Sequence, residues 1–218
     1  SYTFSFEEVR PEIPVLMEYL QIPDSESYAL VSEIVEKTFD ELKDSKEIIG
    51  GYRVLDCPEV NMREGIVACS AGYLHTGRKI SGYMKGSGRI ALFLCTAGKI
   101  FTGLSQAYQQ NGDFLEAFVV ESIGSATVEN AMDKVQQYLE EDMTEQGKKI
   151  TNRYSPGYCE WALSGQRDLF AYIGDHPTGI KSVRGSIGIG DEVRKRPYGC
   201  DICNSASCAY RNIRRKKH

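Results

Sequence analysis

The sequence predicts an α+β protein, and three observations carry that prediction. Short strand-like runs (YRVLDC, GIVACS, RIALFLCT, VRGSIGIG) stand among helical patterns of very unequal length. The two kinds of pattern do not alternate in the regular order that builds a doubly wound parallel sheet. Glycines punctuate them, at Gly50-Gly51 and at Gly86 and Gly88. With 218 residues, 41% hydrophobic and 26% charged, the chain can bury a sizeable core in one large domain or two small ones.

Residues 24 to 44 read as an amphipathic helix, because Leu30, Val31, Ile34, Val35, Thr38, Phe39 and Leu42 recur at helical spacing and Asp24 or Ser25 can cap the start. After a break at Gly50-Gly51 come two short strands, YRVLDC and GIVACS, and a short helix in GRKISGYMKG. RIALFLCT is continuously apolar, the pattern of a strand covered on both faces. TAG then opens a helix running through Tyr108. The longest helical pattern begins at Asp113, with Leu115, Phe118, Val119, Ile123, Ala126, Met132, Val135 and Leu139 as its apolar stripe. RDLFAYI fits a helix or a strand, and VRGSIGIG a Gly-rich strand. The predicted organisation is a helical segment over 1–50, a main domain over 51–192 and a basic tail over 193–218.

Charge is unevenly spread. From Val193 to His218 eight Lys or Arg face the single Asp201, a net of +7, while the remaining 192 residues carry 18 basic and 29 acidic side chains, a net of −11. A basic tail on an acidic body suggests a docking surface for an acidic partner, nucleic acid or an anionic membrane, or else a solvated terminus. The acidic whole, with a pI near 5.5 and no aromatics interleaved with RRKKH, argues against a nucleic-acid module. No apolar run is long enough to span a membrane, and SYTFSFEEVRPEIP lacks a signal-peptide pattern, so the expected location is cytoplasmic.

Cys69 and Cys95 lie in apolar runs, where a thiol acts as a small hydrophobe. Cys200, Cys203 and Cys208 cluster in CDICNSASC. Three thiols this close can hold zinc or an iron–sulfur cluster, with Cys159 or His218 as a fourth ligand, or can be reduced structural thiols. The metal reading makes the chain an electron-transfer or accessory protein. Other chemistries lack their signatures: there is no G-x-x-x-x-G-K-[ST], no HExxH and no G-x-S-x-G. GSIGIG is followed by DEVRKRPYGC, not by the helix a dinucleotide loop needs.

RYSPGY, residues 153–158, is built as a turn: Pro156 fixes its own φ and Gly157 allows φ > 0. Together with the run TAGKIFTGLSQAYQQNGDFLEAFVVESIGSATVENAMDKVQQYLEE before it, the stretch resembles the activation domain of vitamin B12-dependent methionine synthase, and especially its stand-alone relatives. There a helix bearing E-A-F precedes an R-x-x-x-G-Y motif that binds S-adenosylmethionine. Here those elements are Glu116-Ala117-Phe118 and Arg153, Gly157 and Tyr158, and the likeness extends from about Val54 to Tyr210.

The resemblance implies a curved, mostly antiparallel sheet flanked by helices, with the ligand in a surface groove. It also implies a function: supporting reductive methylation of cob(II)alamin on a cobalamin-dependent methionine synthase or a related corrinoid methyltransferase. On that reading Arg153 grips the ligand carboxylate, Gly157 lets the backbone approach, Tyr154 and Tyr158 offer flat faces to adenine or sulfonium, and Ser155 belongs to the same ligand-binding loop. Glu116 balances the ligand's positive charge. No D-x-H-x-x-G motif occurs, so the corrinoid must arrive on a partner, and a flavodoxin-like or ferredoxin-like protein is the implied electron donor. One departure concerns the segment after the motif: in the family an apolar stretch with a proline precedes the SV-x-G strand, whereas here HPTGI runs straight into KSVRG. The synthase's downstream site tyrosines and N-terminal aspartate have no match either.

Overall fold

The computed structural model describes residues 1–22, 25–174 and 183–195. In chain order the elements are β1 (Tyr2–Phe4), α1 (Phe6–Val9), α2 (Ile13–Leu20), α3 (Ser25–Leu42), β2 (Ile48–Asp56), β3 (Glu59–Asn61), β4 (Ile66–Cys69), β5 (Gly72–His75), α4 (Gly77–Tyr83), β6 (Arg89–Thr96), α5 (Ile100–Asn111), α6 (Phe114–Glu145), β7 (Lys149–Ile150), α7 (Gln166–Ile173) and β8 (Val183–Gly190). The fold is α+β: a curled antiparallel sheet of order β1-β2-β6-β8-β7 with helices, and a smaller meander of β3, β4 and β5. The predicted tail cysteines Cys200, Cys203 and Cys208, the basic run 211–217 and the Ile180–Lys181 junction lie outside the described residues.

The chain divides into two compact units: residues 1–50 with 95–134, and residues 51–94 with 135–195. Charge follows that division. Residues 1–50 and 95–134 hold seventeen carboxylates against six cations, net −11, whereas 51–94 and 135–195 hold twelve against fourteen, net +2. The acidic character of the body is therefore concentrated in the first unit.

In the first unit Phe6 meets Phe39 edge-on at 5.3 Å and Phe101 at 6.1 Å. Glu8 accepts hydrogen bonds from both the backbone and the hydroxyl of Ser5, which close the start of α1 and hold its carboxyl below the ordinary range. The predicted break at Gly50-Gly51 is instead strand interior, buried within β2, with Gly50 opposite Tyr2. Pairing with the distant N-terminal strand overrides the local glycine signal.

A second correction concerns α6. Val119, Ile123, Ala126, Met132, Val135 and Leu139 are buried as the stripe predicts, but Leu115 and Phe118 are exposed. At about 100° per residue, Phe114, Leu115 and Phe118 all point away from the buried face centred on Val120, Thr127 and Ala131. From Ser122 onward the helix is covered on more sides, so at similar angles Ser122 and Met132 are buried and Ser125 and Glu129 half-buried.

The second unit has a core of Leu55, Cys57, Val67, Cys69, Leu74, Ile80 and Trp161, among others. Burial pushes the Cys57 thiol up to about 11, and its neighbour Cys69 adds to the shift. A raised thiol pKa means that folding favours the protonated form. The associated stability is whole below the ordinary thiol value near 8.5 and is lost as pH climbs towards the folded value. The cost of Cys57→Ala should therefore shrink between about pH 8 and pH 10.5. Urea midpoints of parent and variant under reducing conditions measure this, and an unchanged difference would show that the thiol's ionisation is not linked to folding.

Candidate functional site

The RYSPGY loop is set by its pairing with β8. Lys149 and Ile150 lie opposite Gly190 and Ile189, and the Thr151 N–H donates to Gly188 O at 2.9 Å. Tyr154 and Ser186 then exchange both backbone bonds, at 3.0 and 2.7 Å. Between these pairs, Asn152 and Arg153 stand against the single residue Ile187. That is a β-bulge, a device that re-aims side chains next to sites. On its other edge β8 is irregular too, with a register shift opposite Phe93 and Leu94.

The bulge turns Arg153 inward. It is only 5% exposed, and its Nη1 donates to Gln136 Oε1 on α6 at 3.2 Å. A Cβ on Gly185 would lie 2.7 Å from Arg153 Cγ, 2.7 Å from Tyr154 O and 2.9 Å from Ser155 Oγ. Glycine at 185 is thus the condition for β8 to pass beneath the motif.

Beyond the bulge the chain makes two linked turns. Tyr158 N–H donates to Ser155 O at 3.1 Å with Gly157 at φ 98°, the geometry of a type II turn with Pro156 in its corner. Trp161 N–H donates to Tyr158 O at 2.9 Å, Gly157 N–H donates to Trp161 O at 2.7 Å, and Cys159 takes a left-handed φ of 50°. The Gly157 and Tyr158 amides are therefore engaged within the loop, leaving side chains and the open face of Gly157 to meet a ligand. Leu163 lies over that face, its Cδ1 3.6 Å from where a Cβ would stand, and it is 64% exposed.

Tyr154, expected as a flat ligand face, has its ring in the second unit's core, stacked on Tyr83 at 5.7 Å. Tyr158 and Cys159 are half-buried against the same core, and Ser155 is half-buried. Glu116 belongs to the first unit, on the first turn of α6, where it is an electrostatic neighbour of Lys37. The structure thus brings Arg153, Tyr154, Ser155, Gly157 and Tyr158 into one loop. Sequence reasoning missed Gln136, Gly185 and Leu163, none of which carries a local signal of its own.

Among the described residues no group of three or more His, Cys, Asp or Glu side chains is arranged to hold a metal ion, and no helix is long and apolar enough to cross a membrane. Compared with known proteins, the chain matches no family model and no curated protein.

Proposed function

We propose that this chain binds S-adenosylmethionine on the RYSPGY loop and serves a partner that carries cobalamin, a methionine synthase or related corrinoid methyltransferase. The supporting observation is the pairing of a bulge-set, buried arginine with an exposed glycine turn directly after it. The guanidinium fits the ligand's carboxylate through its planar fork, a geometry lysine lacks. Gly157, Tyr158 and Ser155 fit the nucleoside side of the ligand, while Tyr154 holds the loop to the core from beneath. The ligand supplies the methyl group, and the partner's cobalamin accepts it after a one-electron reduction by a flavodoxin-like or ferredoxin-like donor. This chain's contribution is binding and orientation.

Calorimetric titration with S-adenosylmethionine, run beside its demethylated product, tests the proposal. Trp161 is the chain's single tryptophan and its carbonyl holds Gly157, so its fluorescence gives a second readout. Arg153→Ala should cost about 1.5–3 kcal/mol, roughly ten- to a hundredfold in affinity. Arg153→Lys, which keeps the charge and most of the stem, should lose an intermediate amount. Circular dichroism identifies any variant that fails to fold. Parent-like affinity in both folded variants would remove Arg153 from the site.

A further inference from the structure

The second unit holds an open groove of about 410 Å³, none of whose lining residues belongs to the RYSPGY loop. It lies between the C-terminal end of α6, β7 and the residues that follow β8. That volume falls in the range of about 300–1,000 Å³ typical of small-molecule sites. The lining is cationic. Lys148, Lys149, Arg194 and Lys195 stand against the single carboxylate of Glu140, a net of +3. Ile150 and Val193, both buried, form the apolar part of the wall.

The four cations are not equivalent. Lys195 pairs with Glu140 at 2.6 Å, and Lys148 pairs with Asp191 at 2.7 Å. The side chains of Lys149 and Arg194 make no ion pair or hydrogen bond among the described residues. The end of α6 is closed without them. The Lys148 and Gly147 amides donate to Met143 O at 2.8 Å and Thr144 O at 2.9 Å, the paired bonds of a Schellman motif. Gln146 Nε2 donates to Asp142 O at 3.1 Å. Two cations of one groove are thus left without a carboxylate or a carbonyl, with an apolar wall beside them.

This arrangement fits one doubly charged anionic group on an organic body. A phosphate monoester carries about −1.5 to −2 at pH 7. Arg194 can engage two of its oxygens at once, and Lys149 adds a point charge. A single carboxylate would leave one cation unmatched, and a free phosphate would fill only part of the groove. We propose that the groove binds a small phosphate monoester, with Lys149 and Arg194 on the phosphate and the organic body along Ile150 and Val193. This site goes beyond the S-adenosylmethionine reading and does not depend on it.

Amide-resolved NMR titration of the full chain tests the proposal, with adenosine 5′-monophosphate and glucose 6-phosphate as probes. At about pH 7.5 and about 0.05 M salt, at least one ester should shift the amides of residues 148–150 and 193–195 along one saturable curve, with a Kd below about 1 mM. Adenosine and glucose should leave those amides in place. The double variant Lys149→Gln/Arg194→Gln changes only exposed side chains, and it should weaken binding at least about tenfold. Arg63→Gln/Lys79→Gln, at exposed cations elsewhere in the same unit, should bind as the parent does. The tighter ester identifies the body as nucleoside or sugar. A weaker Kd for both esters, or shifts spread evenly over the chain's cations, overturns the proposal. Sulfate or inorganic phosphate binding as tightly as the better ester would show an adventitious ion only, and overturns it too. So does parent-like affinity in a folded Lys149→Gln/Arg194→Gln variant. Nucleotide shifts confined to residues 153–158, with no response to the sugar ester, would place the ligand on the motif loop and likewise overturn the groove as its site.

Discussion

Trp161→Ala is expected to destabilise the protein by about 3–5 kcal/mol, the range for removing a large aromatic from a packed core. Trp161 is 1% exposed and belongs to the second unit's core. Its backbone closes the second turn of the loop through Tyr158 O and also holds the Gly157 N–H. The lost side chain should therefore loosen the loop as well as the core, and S-adenosylmethionine affinity should fall together with stability. Trp161→Phe separates the two contributions. The indole Nε1 is buried without a hydrogen-bond partner among the described residues, and a buried unsatisfied donor costs about 1–3 kcal/mol. Phenylalanine removes that donor while filling most of the volume, so its net cost should stay below about 1.5 kcal/mol. Denaturant unfolding followed by circular dichroism gives both values. A cost for phenylalanine close to that for alanine would mean that the indole N–H, not the ring's packing, holds the loop.

Gly185→Ala is expected to abolish ligand binding before it unfolds the protein. The new methyl would overlap Arg153 Cγ, Tyr154 O and Ser155 Oγ, all within 2.9 Å. The two side-chain atoms can move aside, but Tyr154 O is fixed by its 2.7 Å bond from Ser186 N–H. Strand and motif must therefore separate, which overpacking data place at about 1–3 kcal/mol. Displacing Arg153 by even about 1 Å should cost far more in binding, because a bidentate contact tolerates little misplacement. Gly103→Ala is the matched control. A Cβ there meets nothing within 4 Å, and alanine in a helix should stabilise by about 0.5–1 kcal/mol. If Gly185→Ala binds S-adenosylmethionine as tightly as Gly103→Ala does, the close packing of β8 under the motif has no part in the site.

Exposed positions of the loop should behave differently. Gly157 has φ 98° but only Leu163 Cδ1 nearby, so its substitution stresses the backbone rather than the packing. Arg153 is enclosed, and its neighbours on α6 and β8 determine what it can reach.

Much of the element order was legible in the sequence because it rests on local pattern. The periodic stripe of α3, the apolar run of β6 and the Pro156-Gly157 turn each depend on residues a few positions apart, and each lies where its pattern placed it, except that Leu30, at the start of the α3 stripe, is exposed rather than buried. The α+β class followed from the same local readings, whereas the curved antiparallel sheet was an expectation that only the family resemblance implied. What failed was every inference that required knowing a distant neighbour. Gly50-Gly51 read as a break because its partner, Tyr2, is 48 positions away from Gly50. Leu115 and Phe118 read as core because helical period defines a face without saying what covers it.

The candidate site shows the same division. RYSPGY reads as a turn from its residue types, because that chemistry is local, while its candidacy as a ligand loop came only from the family resemblance. The inward setting of Arg153 depends on a bulge created by the register of residues 151–154 against 186–188, and on Gln136 from a helix that ends before the motif begins. The gathering of negative charge into residues 1–50 and 95–134 likewise follows from which stretches pack together, since neither stretch alone shows the whole net of −11. Sequence by itself determined the elements and the loop. Only tertiary structure decided which side chains are enclosed and which face is left open, because register and burial are set by contacts between residues far apart in the chain.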